Sequence, residues 1–202
     1  MWTQPRRMLI GAVWICFPHG LTGPGAAGDT AWAAAIVMDG RRVVGRHVTA
    51  GHASAPYVPG LLALRLGPLC EDAVRRLAWR PDVLLLDATG RDHPRRAGFA
   101  THLGAVLDLP TVGVTHRPLL AAGSWPIDDD GATSALAIGS DQVATWLRTK
   151  QGTRPLVVHP GWRTDAGTAL EVVTGSLAGH RTPEPLRLAR QAARRARASE
   201  HL

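Results

Sequence analysis

Short continuous apolar runs, each bounded by turn-forming residues, constrain the fold of this 202-residue chain more than any other feature. The clearest runs are residues 8–17, 83–86 and 111–114, and runs of this kind are typical of buried strands. A hairpin signal at Asp39-Gly40 joins two β-type runs in the first half, and strands alternate with helical segments in the second half. The sequence therefore predicts an α/β fold, a mixed β-sheet flanked by helices, built as one domain over residues 1–202.

Four segments carry helical signals. Residues 68–79 begin at Pro68, a residue suited to a first helical turn. Residues 95–107 carry an apolar stripe that includes Phe99 and Leu103, and a third helix is expected over about 165–177. The last helix, at about 183–202, is basic. Its arginines fall on one face at helical spacing: Arg187, Arg190, Arg194 and Arg197.

The formal net charge is +7, and Lys150 is the only lysine, so the basicity is almost entirely arginine. Such an excess favours a polyanionic partner such as nucleic acid, although compositional drift and a solvated arginine face are alternatives. No apolar run approaches the length of a membrane span, and no membrane partner is expected. Cys16 and Cys70 lie in apolar stretches, which indicates buried free thiols and a reducing cytoplasm. Arg6-Arg7 before an apolar run permits an export signal, but a buried strand is the favoured interpretation.

Several segments carry a resemblance to a known family. Residues 56–65 read PYVPGLLALR, and residues 81–96 read PDVLLLDATGRDHPRR, with a His-Pro-Arg-Arg sequence after a strand-terminal Asp87. The similarity continues through residues 98–104 and 109–114. It closes with GWR at 161–163 and RTPEPLR at 181–187. From about residue 8 to residue 187 the chain resembles the endonuclease V family.

The resemblance implies a ribonuclease-H-like fold and a magnesium-dependent nuclease of DNA repair, which cuts DNA or RNA one bond 3′ of a deaminated adenine (inosine). Tyr57 matches the tyrosine of a wedge loop, beside which the deaminated base is turned out into a pocket. The ring would stack on a base; packing within the loop is the alternative. The expected contacts to nucleic acid or base are Tyr57, Pro59, Gly60, Gly90, His93, Arg95, Arg96, His102, Arg190 and Arg194.

The family's metal site is incomplete in this sequence. Its first-strand Asp falls on Val13, its Glu on Leu66 and its late His on Trp162, which leaves Asp87 as the one metal-site residue. Magnesium needs several hard oxygen ligands, usually with at least one or two carboxylates. We therefore expect weak or absent Mg²⁺ binding and a crippled nuclease mechanism.

Asp87, His93, His102 and His116 are expected to approach one another where strand ends meet the following helix. His116 replaces a lysine of the family pattern. The four residues would suit a transition metal, but the favoured interpretation is that His116 pairs with Asp87 in place of the metal. As an acid–base pair, Asp87 and His116 are also the candidate catalytic residues.

Three hypotheses about function remain open at this stage. The first is a non-cleaving member of the family, a pseudoenzyme that binds nucleic acid or a purine-like ligand. The second is a working metal-dependent endonuclease that uses Asp87 with ligands recruited from elsewhere. The third is a protein-interaction scaffold, for which the sequence names no protein partner.

Overall fold

Eight strands form one mixed sheet in the computed structural model, which describes residues 8–199. In chain order they are β1 (Leu9–Cys16), β2 (Thr30–Asp39), β3 (Arg42–His52), β4 (Val83–Leu86), β5 (Thr111–Thr115), β6 (Thr133–Ile138), β7 (Asp141–Leu147) and β8 (Leu156–Pro160). The spatial order is β3-β2-β1-β4-β5-β8-β7-β6. β4 is parallel to both β1 and β5, while the other pairings are antiparallel.

Four helices cover the two faces of this sheet. α1 (Leu62–Arg75) and α2 (Phe99–Leu107) pack on one face, and α3 (Ala166–Gly175) and α4 (Glu184–Ser199) pack on the other. Each face has its own apolar core, because the buried side chains of the central strands alternate between the two. The expectation of a mixed sheet flanked by helices is confirmed. Within the described residues, no helix is both long and apolar enough to cross a bilayer.

Helix α1 begins six residues before its predicted start, so Pro68 lies inside it. Proline has no backbone N–H, which leaves the carbonyl of Leu64 without its usual helical donor. The hydroxyl of Ser54 donates to that carbonyl instead. A bond from outside the helix thus helps it to tolerate the proline, and local sequence signals did not reveal that bond.

Two other boundaries also differ from the prediction. Helix α2 starts at Phe99 rather than at residue 95, because Arg96 adopts a left-handed conformation with φ of 53°. Strand β6 was not among the predicted strands. The Arg6-Arg7 pair and the last three residues of the predicted C-terminal helix lie outside the described residues.

Candidate nucleic-acid site around Asp87

Asp87 lies at the carboxyl end of β4, where it is exposed. Its neighbour on β1 is Trp14, whose indole Nε1 donates a hydrogen bond of 3.4 Å to the Asp87 Oδ2 atom. The register pairs Val13 with Leu86, so Val13 points to the α1–α2 face and is only 2% exposed. This corrects the expectation for the first strand. Side chains alternate along a strand, and it is Trp14 rather than Val13 that stands beside Asp87.

A cavity of about 260 Å³ lies on the α1–α2 side of Asp87, beneath the loop that contains Tyr57. This volume is slightly below the roughly 300 Å³ at which most small-molecule sites begin, so it suits one ring system. Tyr57 is 43% exposed at the cavity. The other side chains that matter below are those of His93, Phe99 and Thr115, and Gly60 contributes backbone.

Buried Arg65 anchors the loop above this cavity. Its Nη2 atom forms an ion pair of 2.6 Å with Asp29, and its Nη1 atom donates to the carbonyls of Ala26 and Ala55. The hydrogen bond from Arg65 holds the pKa of Asp29 below its usual value. Arg65 thus ties two loops together across the start of α1. Sequence reasoning missed this role, although Arg65 is the only charged residue in the segment 56–70.

Two further contacts complete this anchor. The guanidinium of Arg65 lies 4.4 Å from the centre of the Phe17 ring, a favourable cation–π geometry. The backbone N–H of Tyr57 donates to the carbonyl of Gly25 at 2.9 Å. Tyr57 is therefore held by its backbone, while its ring stays available at the cavity.

His93 and Arg95 hold the other end of the loop. Arg95 Nη1 donates to the carbonyl of Gly60 at 2.9 Å, and the Arg95 backbone N–H donates to His93 Nδ1 at 3.2 Å. Burial and the Arg95 charge lower the pKa of His93, and the nearby Gly60 backbone and the Asp92 charge oppose that lowering. The lowered pKa favours a neutral imidazole that carries its proton on Nε2. Three residues expected at the site from sequence, Gly60, His93 and Arg95, are thus brought together.

The floor of the cavity rests on a buried histidine. His159 Nε2 and Thr115 Oγ1 are 2.8 Å apart, and Thr115 Oγ1 donates to the carbonyl of Arg117. Because the hydroxyl proton is used there, Nε2 of His159 is the donor in this pair. Burial lowers the pKa of His159 to about 4. Within residues 8–199, His159 Nδ1 is buried without a hydrogen-bond partner.

A second hollow lies on the α4 side of Asp87, and we call it the recess. It has a volume of only about 20 Å³, and its lining includes Trp14, Asp87, His116 and Arg190. Burial and the charges of Arg181 and Arg190 lower the pKa of His116, whereas the Asp87 carboxylate acts in the opposite direction. His116 and Asp87 therefore line the same recess and interact electrostatically. No hydrogen bond joins these two side chains in the described chain.

The arginines of α4 do not form a uniform solvated face. Arg187 pairs with Glu184, and Arg197 donates to the carbonyl of Phe17. The guanidinium of Arg194 lies 5.3 Å from the centre of the Trp14 ring. Arg190 is half-buried in the recess, and its guanidinium has no hydrogen-bond or ion-pair partner among residues 8–199.

These side chains do not fit a magnesium ion. Asp87 supplies the only carboxylate that lines the recess within the described residues, and an indole, an imidazole and a guanidinium surround it. Magnesium prefers oxygen ligands in near-octahedral geometry, and a nearby guanidinium repels it. No three His, Cys, Asp or Glu side chains of residues 8–199 cluster closely enough for a metal site.

The other two positions assigned to metal ligands are apolar or distant. Leu66 packs on the core cluster of the α1–α2 face. Trp162 follows β8, which runs antiparallel to β5, so it lies beside Thr111 at the start of β5. Asp87 follows the carboxyl end of the parallel strand β4, so the two residues lie at opposite ends of the strands. A histidine at position 162 would not reach Asp87, which corrects the assignment of that position to the Asp87 site.

The structure separates four other expected residues from the cavity lining. Gly90 is buried where a Cβ atom would lie 2.0 Å from the Pro160 carbonyl oxygen, so its role is close packing. Arg96 pairs with Asp141 on β7, and His102 faces a different groove between α1 and α2. His102 thus does not join Asp87 as expected. Pro59 is exposed in the loop.

Comparisons with known proteins agree with this architecture. The family model described as Endonuclease V matches residues 19–191. Endonuclease V of Alkalilimnicola ehrlichii is 40% identical over 164 residues, which cover 80% of this chain and 72% of that protein.

Solved structures extend the comparison to the fold. Endonuclease V of Streptomyces avermitilis aligns with a TM-score of 0.87 and 33% identity, covering 96% of this chain and 83% of that one. Endonuclease V of Ciona intestinalis, in complex with a 24mer DNA containing an inosine, has a TM-score of 0.78 at 20% identity and covers 96% and 87%. The ribonuclease-H-like α/β fold is thereby confirmed. The chain belongs to the endonuclease V family.

Proposed function

We propose that this protein binds nucleic acid by accepting an unpaired or extruded purine base into the cavity beneath Tyr57, without cleaving the strand by a metal-dependent mechanism. The observation that carries the proposal is the position of the cavity. It opens under an anchored loop with an exposed aromatic ring, and it shares Asp87 with a recess whose donors do not suit magnesium.

The cavity supports base binding on three grounds. Its volume suits one ring system, the Phe99 ring lies in its wall, and the Tyr57 ring is placed to stack on a base or fill the gap left by one. We assign inosine as the base, since the family acts beside deaminated adenine and the Ciona relative was crystallised with inosine-containing DNA. A basic net charge of +7 supplies the general attraction to phosphate.

Loss of cleavage follows from the surroundings of Asp87. In the family's mechanism the metal orients water and stabilises the leaving oxygen, and both tasks need a precisely held ion. Here the Trp14 indole N–H donates a hydrogen bond to one oxygen atom of Asp87, and Arg190 brings positive charge to the same recess. We also place the protein in the cytoplasm, because Cys16 and Cys70 are both free and buried.

Binding is tested by fluorescence anisotropy with oligonucleotides that carry either a single inosine or the matching adenosine. We expect tighter binding of the inosine strands and an affinity that falls as salt rises. No salt-dependent binding to any strand would reject the proposal in favour of a protein-interaction scaffold.

Cleavage is tested on the same DNA and RNA strands with magnesium or manganese. We expect the wild-type protein to cut them no faster than an Asp87→Ala variant. Metal-dependent nicking that disappears in Asp87→Ala would show a working endonuclease and reject the non-cleaving part of the proposal.

A further inference from the structure

The recess beside Asp87 contains an arginine, Arg190, that has no partner within the described chain. Three arginines of α4 are engaged with Glu184, with the Trp14 ring or with the Phe17 carbonyl. Arg190 alone among those four has no hydrogen-bond, ion-pair or cation–π partner in the described chain, although it is half-buried. A half-buried guanidinium has lost part of its hydration, so an external anion would restore the missing contacts.

The charge around Arg190 also favours an anion. The guanidinium of Arg194 lies over the Trp14 ring, and the charge of Arg181 reaches His116 in the same recess. Asp87 opposes them, but one of its oxygen atoms accepts the Trp14 N–H. Cations thus outnumber Asp87, the one carboxylate that lines the recess among the described residues.

From this arrangement we infer that Arg190 binds a backbone phosphate directly, in the place where a metal ion would otherwise offset the phosphate charge. The inference rests on the proposed function and names the group that the recess recognises. The recess itself holds about 20 Å³, room for about one water molecule and too little for a phosphate group. The phosphate therefore lies at its mouth, where Arg190 can present two parallel N–H donors.

The position of this phosphate along the strand follows from Asp87. Asp87 lines both the base cavity and the recess. A strand that inserts its base beneath Tyr57 consequently passes a neighbouring phosphate in front of Arg190. Binding at this point requires no divalent metal, which distinguishes a guanidinium contact from one made through a metal ion.

The test combines protein variants with neutralised phosphates. Single-stranded DNA with one inosine is prepared with a neutral methylphosphonate at each of the two linkages on either side of the inosine. Binding is measured with a chelator present for the wild type, Arg190→Gln, Arg190→Lys and Arg195→Gln. Arg195 is an exposed arginine of the same helix, and five residues of separation turn it away from Arg190.

We expect one methylphosphonate to weaken wild-type binding about tenfold, as for the loss of one charge-assisted contact. Arg190→Gln should lose a similar factor on the unmodified strand and then be insensitive to that methylphosphonate. Arg190→Lys should retain part of the effect, because it keeps the charge but not the two-donor geometry. Arg195→Gln should behave as the wild type does.

Two results would overturn the inference. One is an Arg190→Gln variant that is folded and still as sensitive to every methylphosphonate as the wild type. The other is wild-type binding that disappears in chelator, which would mean that a metal holds the phosphate. Both results leave nucleic-acid binding in place, whereas a wild type that binds no strand under any condition rejects the proposed function itself.

Discussion

The base cavity and the recess lie on opposite sides of Asp87 and differ in what they retain. The cavity is a hollow of about 260 Å³ with a neutral histidine beside an anchored aromatic loop, whereas the recess holds about 20 Å³ between an indole and a guanidinium. The same carboxylate therefore borders a space shaped for a ring and a space that no longer suits a hydrated cation. Under the proposed function, base recognition and strand cleavage would depend on separate sets of side chains on the two sides of Asp87.

The largest expected effect concerns the floor of the cavity. His159 has a pKa near 6.5 when unfolded and about 4 when folded, so between these values the unfolded chain binds more protons. The free energy of unfolding should therefore fall by about 3 kcal/mol as the pH drops from 6.5 to 4. Chemical denaturation across this range, compared with a His159→Gln variant, isolates this contribution. Equal pH dependence in both proteins would mean that His159 does not titrate in this way.

The second prediction concerns the anchor of the loop above the cavity. Arg65→Ala should lower the free energy of unfolding by about 2 kcal/mol, because it leaves the carbonyls of Ala26 and Ala55 without their donor. The matched control is Arg76→Ala just after the C-terminal end of the same helix, where an exposed ion pair with Asp72 should contribute under about 1 kcal/mol. Preference for inosine should weaken in Arg65→Ala alone. An equal loss of stability in both variants would mean that Arg65 does not anchor the loop more strongly than an exposed ion pair does.

The general fold could be predicted from the sequence because its strands are nearly continuous apolar runs. Residues 83–86 and 111–114 are short apolar runs typical of buried strands, and their neighbours have helical spacing. The start of helix α1 was predicted six residues late because Pro68 is a usual start signal. Pro68 is tolerated inside the helix with the help of a hydrogen bond from the Ser54 hydroxyl to the Leu64 carbonyl, and Ser54 lies in the loop before the helix.

The site was less predictable, because it depends on register and on side-chain partners. Which β1 residue stands beside Asp87 is set by strand pairing, and a shift of one residue exchanges Val13 for Trp14. His102 was expected at the site because strand ends and the following helix converge there, but its helix turns it toward another groove. The arginines of α4 were correctly placed on one helix, yet sequence spacing did not reveal that Arg190 alone of the four lacks a partner within the described residues.

The third prediction tests the cavity by comparing ligands that do and do not offer an easily extruded base. Tyr57→Ala should weaken binding of inosine-containing or mismatched strands by about tenfold, within the 1–3 kcal/mol that base stacking contributes. Fully paired duplex should lose less, because its bases are harder to extrude. Tyr57→Phe keeps the ring and should bind as the wild type does. Equal losses on paired and unpaired ligands in an anisotropy titration would make Tyr57 a packing residue.

The smallest effect compares two adjacent arginines that sequence alone treats alike. Arg95 donates to the Gly60 carbonyl at the end of the wedge loop, whereas Arg96 turns away to pair with Asp141 on β7. Arg95→Gln should therefore weaken binding of inosine strands about threefold to fivefold, because a loop contact of roughly 1 kcal/mol is lost.

Arg96→Gln should change the same affinity less than twofold, since an exposed ion pair contributes little. Both variants remove one positive charge, so any general attraction to phosphate falls equally in the two. The ratio of their affinities consequently reports the loop contact alone. If Arg96→Gln weakened binding as much as Arg95→Gln, base binding would depend on the total charge near residues 95–96. The contact between Arg95 and the loop would then not contribute to base binding in the cavity.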